Sequence, residues 1–289
     1  MRITEKIINN GLTRNINLAM RQIDKRYNEI STGKKIQYPS DDPVGLISSL
    51  RLKDTINETK RYADNSDSAI SWLEASDASL AEMNKVLNRL EELAVASANG
   101  HLTQESLNAY ADEVHELKGH LLQIANTQLG SRYLFGGQQT NSPAYDDAYV
   151  YQGDDNQMKM EVGPGVSLVI GYTGNQVFGD FFTAMDNFEA HIRNGDIESI
   201  GTTDITIISQ KVDNILDIRA AIGAKVNRLE LSKERYSKLD IQFNKLLSET
   251  EDADLAESAM NLKMQETVYQ AALASGARIL QISMLNYLD

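Results

Sequence analysis

Apolar residues along this chain recur at spacings of three and four over long stretches and alternate over one short one. Ile16, Met20, Ile23, Tyr27 and Ile30 are separated by 4, 3, 4 and 3 positions, which lays them along one face of an amphipathic helix with the period of a coiled-coil seam. Gly33 follows in the position just past the helix end, where a left-handed backbone is wanted. Asp42 then reads as an N-cap and Pro43 as a first helical residue, where a missing N–H is no loss. The helix opened there runs to about Ala98 and stops at Asn99-Gly100. Thr103 caps a third helix that ends near Gly130.

In the second half, Ile208, Val212, Ile215, Ile222, Val226, Leu229, Tyr236, Phe243 and Leu247 hold the same spacing, interrupted at Arg219, Lys233 and Asp240. Those interruptions predict a seam that meets several neighbours rather than one uniform partner. A helix over residues 203–250 would be about 70 Å long at 1.5 Å per residue, longer than an ordinary globular core. A shorter helix is expected near Phe181 to Ile192. The final segment carries Leu255, Ala259, Leu262, Tyr269, Leu273, Gly276 and Leu280 at spacings of 4 and 3 or their sum, and ends in Ile279 to Leu288, apolar on more than one face.

The middle breaks this pattern. Prolines occur only at positions 39, 43, 143 and 164, leaving two long proline-free expanses, while nine of the 18 glycines fall between residues 130 and 179. Met158-Lys159-Met160-Glu161-Val162 alternates as a half-buried strand does, and Gly163-Pro164-Gly165 turns it into Val166 to Ile170. The expected fold is therefore mainly α, a long antiparallel helical rod and a terminal coiled coil with a small β-rich inserted domain. Its divisions are residues 1–43 with 252–289 (terminal coiled coil), 44–132 with 181–251 (rod) and 133–180 (insert).

Charge changes this picture by showing how the ends relate. The chain of 289 residues has a formal net charge of −13, but residues 1–43 carry eight Lys or Arg against five acids and residues 252–289 carry two against five. Ends of net +3 and −3 favour their mutual pairing. Two seam-bearing helices with no other local sequence to cover them bury their stripes only on each other and on other copies, so the termini are expected to be mobile in the monomer and to order on polymerisation. The acidic balance, with a pI near 4.8, argues against nucleic-acid binding. No apolar run is long enough to span a bilayer, and the Met1 to Lys6 start lacks the apolar core of a cleaved signal.

Candidate chemistry is sparse. The absence of Cys excludes disulfides, thiolate metal sites and a cysteine nucleophile. His115 and His120 are five apart and off one helical face, and His101 and His191 have no companion at ligand spacing, so no metal site is expected. Asp146-Asp147 and Asp154-Asp155-Asn156 lack the alternating acids, sixth-position Gly and twelfth-position Glu of a calcium loop and read as turn acids. Gly163-Pro164-Gly165 has no following Lys-Ser or Lys-Thr pair for phosphate. Asp41-Asp42 fits helix capping better than paired catalytic carboxylates. No catalytic residue and no cofactor are expected.

Several tracts nevertheless carry a resemblance. Ile30-Ser31-Thr32-Gly33-Lys34-Lys35-Ile36 with Pro39-Ser40-Asp41-Asp42-Pro43-Val44-Gly45, then Leu93 to Gly100, Ile124 to Thr127, Gly130 to Gly137 and Ser283 to Leu288, resemble the flanks shared by flagellins and the hook-associated junction proteins of the bacterial flagellum. Pro43, where flagellins usually have Ala, and the Arg132-Tyr133-Leu134-Phe135-Gly136-Gly137 tract are more similar to junction proteins of the FlgL type. The resemblance implies a structural, non-enzymatic subunit of an extracellular appendage, joining hook to filament and exported by the type III route without a cleaved signal. Its terminal helices would form an axial core and its insert would face outward. The implied partners are further copies in a ring, another hook-associated protein, flagellin, and an export chaperone of the FlgN type; no membrane insertion is implied. Ile16, Met20, Ile23, Tyr27, Ile30, Leu255, Leu262, Tyr269 and Leu273 are the expected assembly residues, and Leu280, Met284, Leu285 and Leu288 the expected chaperone and assembly contacts. A minimal flagellin and a secreted helical effector or translocator are the alternatives.

Overall fold

The computed structural model describes the backbone of residues 2–99 and 101–288 and the side chains of residue 7 and of residues 9–99 and 101–278. The elements in chain order are α1 (Arg2–Thr32), α2 (Pro43–Ser97), α3 (Gln104–Ala125), β1 (Gln128–Leu129), β2 (Arg132–Tyr133), β3 (Lys159–Gly163), β4 (Val166–Val169), α4 (Gly174–Val177), α5 (Phe181–Asn194), α6 (Ile197–Ser199), α7 (Ile205–Glu251) and α8 (Leu255–Leu288). The fold is mainly α with two small antiparallel sheets. It divides into a unit of residues 1–57 with 240–289 and a unit of residues 58–239. Both boundaries fall inside the long helices α2 and α7 rather than at their ends.

The central unit holds the hydrophobic core. Leu73, Leu80, Leu87 and Ala94 of α2 and Ile208, Ile215, Ile222, Leu229 and Tyr236 of α7 are buried at seven-residue intervals, the repeat that keeps one face of a helix against a partner. Two of the interruptions in the α7 seam are ionic: Arg219 Nε lies 2.8 Å from Asp77 and Lys233 Nζ 2.6 Å from Asp67. Cations at seam positions are thereby tolerated because α2 supplies acids opposite them. Tyr62 and Tyr236 face each other with ring centroids 6.0 Å apart, and the series Tyr62–Tyr236, Asp67–Lys233, Asp77–Arg219 shows that α2 and α7 run antiparallel. On α3, Leu107, Ala111, Val114, Leu121 and Ala125 form the buried stripe.

The cap at Thr103 accepts a hydrogen bond from Ser106 N–H, but α3 ends at Ala125, five residues before the expected Gly130. Asn126 turns its amide onto the Tyr145 backbone, donating to the carbonyl at 2.9 Å and accepting from the N–H at 3.0 Å, and Thr127 Oγ1 donates to the Ile124 carbonyl. Those groups end the helix and leave β1 and β2 to close a tight hairpin over Gly130, whose φ is +64°.

In the region between residues 133 and 180, β3 and β4 pair as the alternation predicts, with Gly165 at φ +67° in the turn. Tyr236 Oη donates to the Val162 carbonyl at 2.6 Å and Asn65 Nδ2 to the Glu161 carbonyl at 2.8 Å, which ties this hairpin to α7 and α2. Phe135, Tyr145, Val162, Leu168, Ile170 and Phe178 belong to the same buried cluster as the helices. The insert therefore shares the helical core rather than building its own.

The terminal unit contains α1, α8, the first turns of α2 and the last turns of α7. Gly33 ends α1 with φ +72°, and Asp42 Oδ1 accepts from the N–H groups of Val44 and Gly45 at the start of α2. α1 and α8 pack on each other in an antiparallel sense, with Leu12 against Gly276 near one end and Glu29 against Ser258 near the other.

Candidate assembly interface

The inner face of the α1 and α8 pair follows from burial along each helix. On α1 the covered positions include Leu12, Ile16, Ala19, Ile23, Arg26 and Ile30, together with the buried Glu29. On α8 they include Ser258, Leu262, Gln265, Tyr269, Ala272 and Gly276, with Asn261 and Glu266 half-covered beside them. These positions step by 4 and 3, as in a coiled coil, with Leu12, Ile16, Ile23, Ile30, Leu262 and Tyr269 interleaved with small and polar residues. A Cβ on Gly276 would lie 2.6 Å from Leu12 Cδ2; the glycine is the hole into which Leu12 fits. Arg26 pairs with Glu29 at 2.7 Å, and Ser258 Oγ donates to Glu29 at 3.4 Å.

Of the expected assembly residues, Ile16, Ile23, Ile30, Leu262 and Tyr269 lie on this inner face, half covered within the chain. Met20 and Tyr27 do not: they are 52% and 64% exposed, each one position beyond an inner residue, Ala19 and Arg26. Leu255 and Leu273 are also exposed. Four of the nine expected residues thus lie on the flanks, because the inner face between the large apolar side chains is filled by Ala19, Arg26, Ser258, Ala272 and Gly276, which hydrophobic spacing alone does not reveal. Leu280, Met284, Leu285 and Leu288 lie outside the described side chains.

α1 and α8 pack on each other, and among the described residues no ion pair joins them. The ionic cluster of the terminal unit is instead a connector clamp. Glu251, in the last turn of α7, has a side chain only 5% exposed; it pairs with Lys34, with Lys53 Nζ at 2.6 Å and with Ser49 Oγ at 2.8 Å. The Lys35 N–H donates to the Glu251 carbonyl and the Ala253 N–H to the Gly33 carbonyl, so the loop after α1 and the loop before α8 form a short antiparallel bridge. Burial pushes the Glu251 carboxyl up, but the hydrogen bonds from Lys34, Lys53 and Ser49 together outweigh it and hold the group at about 2. In the same loop Asp41 accepts from the Tyr38 and Gln37 N–H groups and from Lys25; the Tyr38 bond leads in holding it below the usual carboxylate range.

Burial separates the two units more sharply than sequence does. Among the described residues, the only buried apolar side chains of the terminal unit are Ala19, Ile36 and Ile56. Of the 22 large apolar side chains that are exposed among the described residues, fifteen belong to it, although it is the smaller unit. They include Leu18 and Met20 on α1, Val44, Ile47 and Leu50 on α2, and Met260, Met264 and Val268 on α8. Charge divides the same way: the terminal unit has thirteen Lys or Arg against fourteen acids, and the central unit fifteen against 27. A nearly neutral, apolar surface is suited to association, and the central unit's −12 to staying in water.

Three of the four histidines take structural partners. His115 faces Glu189 at 3.3 Å, His120 faces Glu82 at 3.4 Å and His191 faces the buried Asp204 at 2.8 Å. Asp146 accepts from the N–H groups of Ala148 and Val150 within its own turn, and Asp154 accepts from the Gln138 N–H of a preceding loop. Among the described residues no three acids or histidines gather as metal ligands, and no helix is long and apolar enough to cross a membrane.

The family models for the bacterial flagellin N-terminal helical region and the bacterial flagellin C-terminal helical region match residues 3–140 and 205–288. The chain belongs to the flagellin family of structural proteins of the bacterial flagellum. It is 24% identical to flagellar hook-associated protein 3 of Escherichia coli, over 94% of this chain and 95% of that one. It is 26% identical to the flagellar filament 31.3 kDa core protein of Treponema maltophilum, over 86% of each. Its fold is similar to the solved structure of a flagellar hook-associated protein from Vibrio parahaemolyticus, with TM-score 0.67 and 20% identity over 73% of this chain and 100% of that one. The relatives found are structural proteins of the bacterial flagellum.

Proposed function

We propose that this chain is the subunit that joins hook to filament, assembling as a ring through its terminal unit and contacting another hook-associated protein on one side and flagellin on the other. The observation that carries this is the terminal unit's inversion of the usual arrangement, with three small or aliphatic side chains buried and fifteen large ones exposed. Burying a half-exposed Met, Leu or Tyr contributes on the order of 1 kcal/mol, and fifteen such groups supply ample drive for association. Exposed Met20, Tyr27, Leu255 and Leu273 would face neighbouring subunits. Ile16, Ile23, Ile30, Leu262 and Tyr269 would build the α1 and α8 pair that presents them.

Pro43 and the Arg132 to Gly137 tract, more similar to junction proteins than to flagellins, support the junction over the filament. Export by the type III route without a cleaved signal, and capture of Leu280, Met284, Leu285 and Leu288 by a chaperone of the FlgN type, complete the proposal; the apolar run from Ile279 to Leu288 is suited to such capture in the free chain. Immunogold labelling of isolated flagella tests it. Label confined to the boundary of hook and filament is expected; label along the whole filament would make the chain a minimal flagellin.

A further inference from the structure

Nine methionines occur in the chain, and those with described side chains fall into two groups. In the central unit Met83 and Met185 are 0% and 2% exposed, and Met158 and Met160 are partly buried against the core. In the terminal unit Met20 is more than half exposed, as are Met260 at 68% and Met264 at 53%. Met260 and Met264 are one turn apart on α8. The register set by Leu12 against Gly276 and Glu29 against Ser258 puts Met20 level with Val268, one turn from Met264. The open thioethers are thus gathered on one small two-helix unit, on the surface that carries assembly.

We propose that Met20, Met260 and Met264 form an oxidation site through which peroxide controls the assembly competence of the free subunit. The inference rests on the terminal unit being the assembly surface. The thioether sulfur attacks one oxygen of hydrogen peroxide, the O–O bond breaks, a sulfoxide S=O forms, and the second oxygen leaves as water after proton transfer. Sulfur is oxidised by two electrons and the peroxide reduced by two. A flexible apolar group becomes a polar one. That change is harmless on a wet surface, but on assembly the new S=O dipole must be desolvated without a partner. Burial in the assembled appendage would shield the same sulfurs, so the sensitivity belongs to the subunit in transit. Chain without cysteine leaves no thiol to react first.

The test adds purified full-length chain to hooks isolated from cells lacking it, with and without prior hydrogen peroxide, and measures the chain that sediments with hooks. Peptide mass spectrometry should find one added oxygen at Met20, Met260 and Met264 before Met83 or Met185. Incorporation of the oxidised chain should fall at least about tenfold, since three polar groups are desolvated together, and methionine sulfoxide reductase should restore it. The M20L/M260L/M264L variant, close in volume and shape, should incorporate as the untreated chain does and keep doing so after peroxide. If untreated chain does not incorporate at all, the assembly reading fails. If untreated chain incorporates and the triply oxidised chain does so equally well, or the leucine variant is as sensitive as the parent, the oxidation proposal alone is overturned.

Discussion

Glu251 and Lys34 are ion-paired although 217 residues separate them in the chain. Their contact fastens the connector that leaves α1 to the end of α7, and Ser49 and Lys53 on α2 complete the clamp from a third side. The terminal unit has little apolar core, so this polar knot carries an unusual share of its order.

Acid should release it. The folded Glu251 carboxyl is held at about 2 against an ordinary value of 4.5, so its contribution is fully present above pH 4.5 and is lost as pH falls toward 2. The lysine partners are about two-fifths exposed, which limits the effect to an estimated ~1–2 kcal/mol. In acid titration followed by hydrogen exchange, amides of the α1 and α8 connectors should lose protection across that window. In Glu251→Gln they should already exchange faster at neutral pH and show no further loss from this group on acidification.

Substitution at Gly276 should separate size from propensity. Gly276→Ala meets only the flexible end of Leu12 and gains helix propensity of about 0.5–1 kcal/mol, so its net effect should be small. Gly276→Ile fills the hole and should destabilise the α1 and α8 pair by about 1–3 kcal/mol. Hydrogen exchange at α1 amides reads the difference directly.

Exposed flank residues should behave in the opposite way. Tyr27→Asp and Met260→Asp replace side chains that are two-thirds exposed, so the thermal melt of the free chain should move by no more than about 0.5 kcal/mol in stability. Incorporation into hooks should nevertheless be lost. A melt shifted as far as that of a core variant would contradict the division between a self-sufficient central unit and a terminal unit completed by neighbours.

Removal of the Tyr236 hydroxyl should loosen the insert. In Tyr236→Phe the buried Val162 carbonyl loses its 2.6 Å donor, which should destabilise the central unit by about 1–3 kcal/mol. The β3 and β4 amides should exchange faster than those of α3, which the bond does not reach.

The long helices were legible because their signals are local and redundant. The heptad from Ile208 to Tyr236, the Asp42-Pro43 start, the Thr103 cap and the Gly33 stop each act within a turn or two, and all four appear in the structure. Other features depend on residues far apart in sequence. Nothing near Arg219 or Lys233 announces Asp77 or Asp67, and nothing near Glu251 announces Lys34. The end of α3 was misplaced because Asn126 is turned by the backbone of Tyr145. On α1, Ile16, Ile23 and Ile30 lie on the inner face, but Met20 and Tyr27 fall one position off it because large side chains mark a stripe more loudly than Ala19 and Arg26 do. A cleaner signal was present: Leu12, Ile16, Ala19, Ile23, Arg26 and Ile30 also step by 4 and 3, and they match the small residues of α8.

The most direct measurement uses the absence of Cys. A single Met20→Cys places one reactive thiol on the exposed flank of α1, and maleimide labelling can be compared between the free chain and isolated flagella. The account predicts ready labelling of the free chain and protection of the same residue in the assembled appendage. Equal labelling in both would show that the apolar flank of the terminal unit is not where subunits meet.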